Sequence, residues 1–318
     1  MKKNSKIYIA GHSGLVGSAI VRELKKQGYN NLILKTRKEL DLLNQVKVNI
    51  FFARHKPEYI FLAAAKVGGI MANDKQPADF IYENLVIETN IINAAFKNKV
   101  KKLLFLGSSC IYPRNCPQPI KEEYLLTGPL EKTNEAYAIA KIAGLKLCEY
   151  YNKQFKTEYI AVMPTNLYGL NDNFDLATSH VLPALIRRFH EAKQKGDKEI
   201  VLWGSGKARR EFLHVDDLVS ALIFLINNYN GKEGILNIGT GVDLTIKQLA
   251  EKIKNIVGFN GKIKWDISKP DGTPRKLLDV NKIKKLGWKP VISLDKGLEM
   301  TYEGFKGDVG EIEKLLIL

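Results

Sequence analysis

The stretch that limits this chain most is residues 7–24. A short apolar run, Ile7-Tyr8-Ile9-Ala10, enters a turn with glycine at 11, 14 and 17, and apolar residues at 16, 20 and 24 follow. Four-residue spacing puts those three on one helical face. A buried strand, a glycine turn and a helix open a parallel α/β unit. The glycines let the backbone turn tightly and approach a pyrophosphate at the helix N-terminus. The spacing is GxxGxxG, not GxGxxG.

The same alternation continues. Strand-like runs at 31–34, 58–65, 102–106 and 159–163 are separated by helical patterns, one from about 77 to 98 and one carrying 138–147. The expected fold class is α/β, a Rossmann-type doubly wound parallel sheet with a smaller C-terminal substrate-binding domain. Ligands of such sheets bind beyond the carboxyl ends of the strands. That crevice would be lined by 11–17, by 63–69, by 107–113 and by 164–169. After Gly169 the texture changes: loops lengthen and aromatic and polar residues cluster. A helix from about 215 to 226 and a strand at 235–238 read as a return to the main sheet. Thr245-Ile246-Lys247-Gln248 reads as a capping box. The expected division is therefore 1–169, rejoined by 214–239, for the cofactor domain. Residues 170–213 and 240–318 form the substrate domain.

Composition narrows the function classes. The chain of 318 residues is 45% hydrophobic and 26% charged, an ordinary globular mix. No run approaches the ~18 apolar residues of a transmembrane helix. The apolar run after the basic N-terminus is too short for a signal peptide. Cys110, Cys116 and Cys148 form no CxxC pair, which fits a reducing cytoplasm. No metal-ligand spacing is present. The net charge of +15 is spread along the chain without a dense basic block, so no nucleic-acid partner is expected. A positive field would help draw an anionic substrate.

Two local patterns carry chemistry. Tyr137 and Lys141 stand four apart in a helix-forming run and would share one face. A free phenol has a pKa of roughly 10, and a nearby ammonium favours the phenolate and pulls that value down. The pair is then a tunable acid for an oxyanion formed as hydride reaches carbon. Lys35-Thr36-Arg37 follows the second strand, where an acidic residue would hold ribose hydroxyls. An arginine there suits a 2′-phosphate and points to NADPH rather than NADH. Glu39 and Asp41 lie close by.

With the glycine turn, Ser108, Tyr137 and Lys141 in order, the chain resembles an extended short-chain dehydrogenase/reductase. Longer blocks narrow the resemblance to the GDP-L-fucose synthase family. They are His12 in the turn, Ala63-Ala64-Ala65-Lys66-Val67-Gly68-Gly69, Gly107-Ser108-Ser109-Cys110-Ile111-Tyr112-Pro113, Pro164-Thr165-Asn166-Leu167-Tyr168-Gly169, Asp172-Asn173-Phe174, Ser179-His180, Arg210-Glu211-Phe212-Leu213-His214-Val215-Asp216-Asp217 and residues 269–279. The match spans about residues 6–305.

The resemblance implies NADPH-dependent 3,5-epimerisation and 4-reduction of GDP-4-keto-6-deoxy-D-mannose. It implies cofactor (NADPH/NADP+) contacts from Gly11, His12, Ser13, Gly14, Leu15, Val16 and Gly17, and from Arg37 and Asp41. Further contacts would come from Leu106, Gly107, Ser108 and Ser109, from Tyr137 and Lys141, from Pro164, Thr165, Asn166 and Leu167, and from His180. Cys110 and His180 would exchange protons at C3 and C5, having pKa values of roughly 8.5 and 6.5. Without the resemblance, Cys110 reads as a core residue and His180 as a helix-terminal surface residue. Tyr137, steadied by Ser108 and Lys141, would protonate the C4 oxygen. Arg188, Trp203, Arg210 and Asp271 would contact the GDP moiety, and Arg187 and Arg209 are neighbours easily confused with two of them. The family implies a homodimer through helices near 84–98 and 136–152. One departure is Ser13, where related chains often carry arginine, so Arg37 must carry more of the 2′-phosphate. Two rivals remain. A dehydratase would carry Thr-Asp/Glu-Glu where this chain has Ser108-Ser109-Cys110. A non-catalytic dinucleotide-binding regulator would not need Ser108, Tyr137 and Lys141 together.

Overall fold

The computed structural model describes residues 1–316 apart from 177, 233, 270 and 271; of residue 70 and residues 308–316 it describes the backbone alone. Its strands are β1 (Ile7–Ala10), β2 (Leu32–Ile33), β3 (Tyr59–Leu62), β4 (Lys102–Leu106), β5 (Tyr159–Pro164), β6 (Asn166–Tyr168), β7 (Glu199–Trp203), β8 (Arg209–His214), β9 (Leu236–Ile238), β10 (Asp243–Thr245), β11 (Lys262–Asp266) and β12 (Arg275–Lys276). Its helices are α1 (Leu15–Lys26), α2 (Gln45–His55), α3 (Ile70–Lys75), α4 (Pro77–Lys97), α5 (Glu135–Phe155), α6 (Val181–Lys195), α7 (Val215–Asn228), α8 (Ile246–Val257), α9 (Asn281–Lys285) and α10 (Leu294–Leu316).

The main sheet runs β2-β1-β3-β4-β5-β9 and every pairing in it is parallel. A parallel sheet is covered on both faces, so its strands read as unbroken apolar runs; β1 and β5 are buried along their whole length. The strand order reverses between β1 and β3, and that switch point opens the crevice where ligands of such sheets bind. The second strand is shorter than the four residues its sequence suggests. It lies at the sheet edge and pairs only through Leu32 and Ile33. The return near 236–238 docks β9 on β5. The Thr245–Gln248 capping box forms, with the Thr245 side chain accepting from Gln248 N and the Gln248 side chain accepting from Thr245 N.

Two apolar cores result. One fills the main sheet and its covering helices. The other joins Leu182, Ile186 and Phe189 of α6 to Leu249 and Ile253 of α8 and to Leu298 and Tyr302 of α10. The chain beyond 240 contributes to both, because Leu278, Val280, Ile283 and Trp288 pack in the first core. Glu211, with no exposed surface, ties the two regions together: its carboxylate accepts from Gly241 N at 2.7 Å and Leu278 N at 3.0 Å. Burial raises the pKa of this carboxyl, opposed by those backbone donors. Among the described residues no helix is long and apolar enough to cross a membrane.

Candidate active site

The glycine turn sits at the switch point and is shaped by contacts no side chain could share. Gly11 has φ +82°, and a Cβ there would lie 2.7 Å from Ala64 N at the end of β3. A Cβ on Gly17 would lie 2.0 Å from the Gly11 carbonyl. Gly14 N-caps α1 without a side-chain cap, and the first turn of α1 holds no acidic residue. A helix start with open N–H groups and no competing carboxylate accepts a phosphate. His12 Nδ1 is buried beside it with no partner among the described residues, while Ser13 is exposed and Leu15 and Val16 are half-buried. The cradle therefore fits a dinucleotide.

The other expected cofactor residues follow or end β2, β4 and β5. Arg37 is exposed and lies 3.7 Å from Glu83 of α4, so its guanidinium is free to turn toward a phosphate. Asp41 accepts from Leu43 N and serves its own turn. Gly107 continues β4, where a Cβ would meet Met163 Sδ at 2.4 Å, and Ser109 is buried behind it. Pro164 ends β5. Thr165 Oγ1 and Asn166 Nδ2 both donate to the Glu211 carbonyl, at 3.2 and 2.8 Å, and Leu167 follows in β6.

The chemistry gathers beyond β4. Ser108 Oγ accepts from Cys110 N at 3.2 Å and is within hydrogen-bond contact of the Tyr137 hydroxyl and the Cys110 thiol. Cys110 Sγ accepts from Asn134 Nδ2 at 3.3 Å and from Lys276 Nζ at 3.5 Å. Burial pushes this thiol up. The Lys276 charge, the Ser108 hydrogen bond and Arg210 outweigh that effect, leaving its pKa below the ordinary value. His180 N-caps α6 and is exposed. Desolvation and the Lys276 charge hold its imidazole below the usual value.

Tyr137 and Lys141 do share one face of α5, but their electrostatics differ from the expectation. The Lys141 ammonium is turned to Glu88 at 2.9 Å and to the Leu106 carbonyl at 3.0 Å, and lies 5.8 Å from the Tyr137 ring centre. The phenol is pushed up, not down: burial raises it most, and Cys110 and Glu88 add to this against the Ser108 hydrogen bond. The ammonium is committed elsewhere, and burial dominates.

The second region supplies a separate cluster. Arg188 lies 5.8 Å from the Trp203 ring, as does Lys269 Nζ, and Trp203 is exposed. Arg187 instead pairs with Glu191 of its own helix at 2.6 Å. Arg209 is bound to Asp243 at 2.7 Å, whereas Arg210 donates to the Thr273 carbonyl at 2.6 Å and charges Cys110 from the crevice side. Asp271 lies outside the described residues. Sequence reasoning missed Lys276, Asn134 and Glu88. Each is distant in sequence from the residue it touches, and no spacing marks it.

Comparison with known proteins gives the family. Residues 7–239 match the model of the NAD dependent epimerase/dehydratase family. The chain is 60% identical over 309 residues to "Putative GDP-L-fucose synthase 2" of Arabidopsis thaliana, covering 97% of this chain and 94% of that one. It is 55% identical to the GDP-L-fucose synthase of Escherichia coli strain K12, covering 94% and 96%. Among solved structures, the GDP-mannoheptose C4 reductase from Campylobacter jejuni with NADP bound superposes with a TM-score of 0.90 at 47% identity, over 96% of this chain and 99% of that one. The chain belongs to the NAD dependent epimerase/dehydratase family and, within it, to the GDP-L-fucose synthases.

Proposed function

We infer that this chain converts GDP-4-keto-6-deoxy-D-mannose to GDP-L-fucose by 3,5-epimerisation and NADPH-dependent 4-reduction. The observation that supports the reading is that Ser108 acts on both Tyr137 and Cys110, while the Lys276 charge acts on both Cys110 and His180. NADPH, held by the glycine turn and Arg37, supplies the hydride for C4.

The ketone at C4 acidifies the protons at C3 and C5. Cys110 is the base, since Lys276 and Asn134 favour its thiolate. The thiolate takes the proton from carbon, and the electron pair moves onto O4 as an enolate. His180 returns a proton to the opposite face, and a lowered pKa makes its imidazolium the stronger acid. Inversion follows at each carbon once the two groups have exchanged protons with water. Tyr137 then gives its hydroxyl proton to O4 as C4 is reduced, with Ser108 holding the same oxygen. A phenol kept protonated by burial is ready to donate. Arg188, Trp203, Arg210 and Asp271 hold the GDP end, arginine by paired donors to diphosphate oxygens.

We assign residues 1–169 with 214–239 to the cofactor and 170–213 with 240–318 to the GDP-sugar. We further propose a homodimer through α4 and α5, in the cytoplasm, where the three free cysteines stay reduced. The Campylobacter jejuni relative favours a second reading, reduction at C4 without inversion. Purified protein incubated with GDP-4-keto-6-deoxymannose and NADPH separates them. NMR of the product shows the L-fucose configuration on the first reading, and a 6-deoxyhexose with C3 and C5 unchanged on the second.

A further inference from the structure

The Lys141 ammonium sits in a site built for it from another helix. Glu88 of α4 is 1% exposed and Lys141 is 3% exposed, and the two form an ion pair at 2.9 Å. The ring of Phe105 faces the same ammonium at 4.9 Å. Glu88 Oε2 has no hydrogen-bond partner among the described residues. It fills the space beside Gly144, where a Cβ would come within 2.5 Å of Oε2 and 2.6 Å of Phe105 Cζ. Stability gives little reason for this arrangement. A buried ion pair roughly breaks even against apolar packing, and a glycine inside a helix costs about 1 kcal/mol. Local costs of this kind gather where function requires them.

We propose that Glu88 is a positioning residue for the reductive half of the reaction: its carboxylate fixes the Lys141 ammonium beside Tyr137. The inference rests on Tyr137 as the acid that protonates O4. After that proton leaves, a phenolate remains on the same face of α5 as Lys141, whose ammonium is 5.8 Å from the ring centre. Without Glu88 the ammonium would keep the Leu106 carbonyl and the Phe105 ring but lose the ion pair that fixes its place on the face of α5 it shares with Tyr137. The titratable groups facing Glu88 are Lys141, Tyr137 and Cys148 of α5, with Cys110 across Tyr137 from the segment after β4. Among the described residues no hydrogen bond or ion pair joins Cys110 or His180 to the pair, so the epimerising half should not need it.

The test compares wild type with Glu88→Gln and Glu88→Asp. It measures the pH dependence of kcat/KM for reduction, deuterium wash-in at C3 and C5 in D₂O, and NADPH affinity. Loss of the carboxylate removes the negative neighbour of Tyr137. The phenol then gives up its proton more easily, which moves the basic limb of reduction to lower pH. Glu88→Gln should move that limb down by about one unit or more, so that at a given pH on the limb reduction falls roughly tenfold. Wash-in and NADPH affinity should stay within about twofold. Glu88→Asp, with its charge drawn back, should lie between. Superimposable pH profiles for wild type and Glu88→Gln overturn the inference. So does a parallel loss of reduction and wash-in in both variants, which marks a merely structural pair. A wild type that reduces no GDP-keto-sugar overturns the functional reading itself, and the inference with it.

Discussion

Lys276 Nζ lies 3.5 Å from Cys110 Sγ across 166 residues of chain. The contact joins β12 to the segment after β4, and the Lys276 charge also acts on His180. One cation therefore tunes both groups assigned to proton exchange. Lys276→Met should raise the thiol pKa, so that the rising limb of deuterium wash-in at C3 and C5 shifts to higher pH. At pH 7 the exchange should slow by roughly ten- to a hundredfold, the worth of a charged hydrogen bond of about 1.5–3 kcal/mol. Mass spectrometry of sugar recovered from D₂O reads this directly, and an unshifted limb would remove Lys276 from the role.

Arg37 is exposed, and its ion pair with Glu83 is loose at 3.7 Å. Arg37→Ala should raise KM for NADPH about ten- to a hundredfold and leave KM for NADH nearly unchanged, because only NADPH carries the extra phosphate. The exposed Ser13 offers no second cation there. Steady-state kinetics with both cofactors decide the matter, and equal effects on the two would sink the assignment.

The two acid–base sets should separate by mutation. Tyr137→Phe should lose reduction by several orders of magnitude, since O4 has no proton donor, yet still wash deuterium into the keto-sugar. Cys110→Ser and His180→Gln should bind NADPH normally but exchange slowly, and they should release some 6-deoxyhexose that is not fucose. Loss of exchange in Tyr137→Phe together with its survival in the other two would reverse the roles.

Asp172 links stability to pH. Burial raises its carboxyl from 3.8 to about 7, against one hydrogen bond from Asn173 N, and Oδ2 has no partner among the described residues. Because the folded pKa is raised, the folded chain holds a proton that the unfolded chain has released between pH of about 4 and 7. Stability from this group is present below that window and is lost as pH rises through it. With partial exposure the effect is about 1–3 kcal/mol. Asp172→Asn should melt higher than wild type at pH 8 and no higher at pH 4. Calorimetric Tm values that run parallel for the two proteins across this range would contradict the account.

What the sequence determined by itself was local in origin. The turn at Gly11, Gly14 and Gly17, the buried run of β1 and the Thr245–Gln248 cap depend on neighbours within a few residues. Strand–helix alternation then implies a parallel sheet with one crevice at its switch point. The helical spacing of Tyr137 and Lys141 was legible for the same reason. What Lys141 faces was not. The order of strands and the packing of α4 on α5 bring Glu88 to the ammonium, and burial, not the neighbouring cation, then governs the Tyr137 hydroxyl. Likewise β12 reaches Cys110 only because it lies along β8, itself anchored at Glu211. Ion pairs and burial depend on which distant elements meet, and sequence periodicity records only which face of an element is apolar. The reacting groups were therefore readable along the chain, while the charges that set their protonation came from tertiary contact.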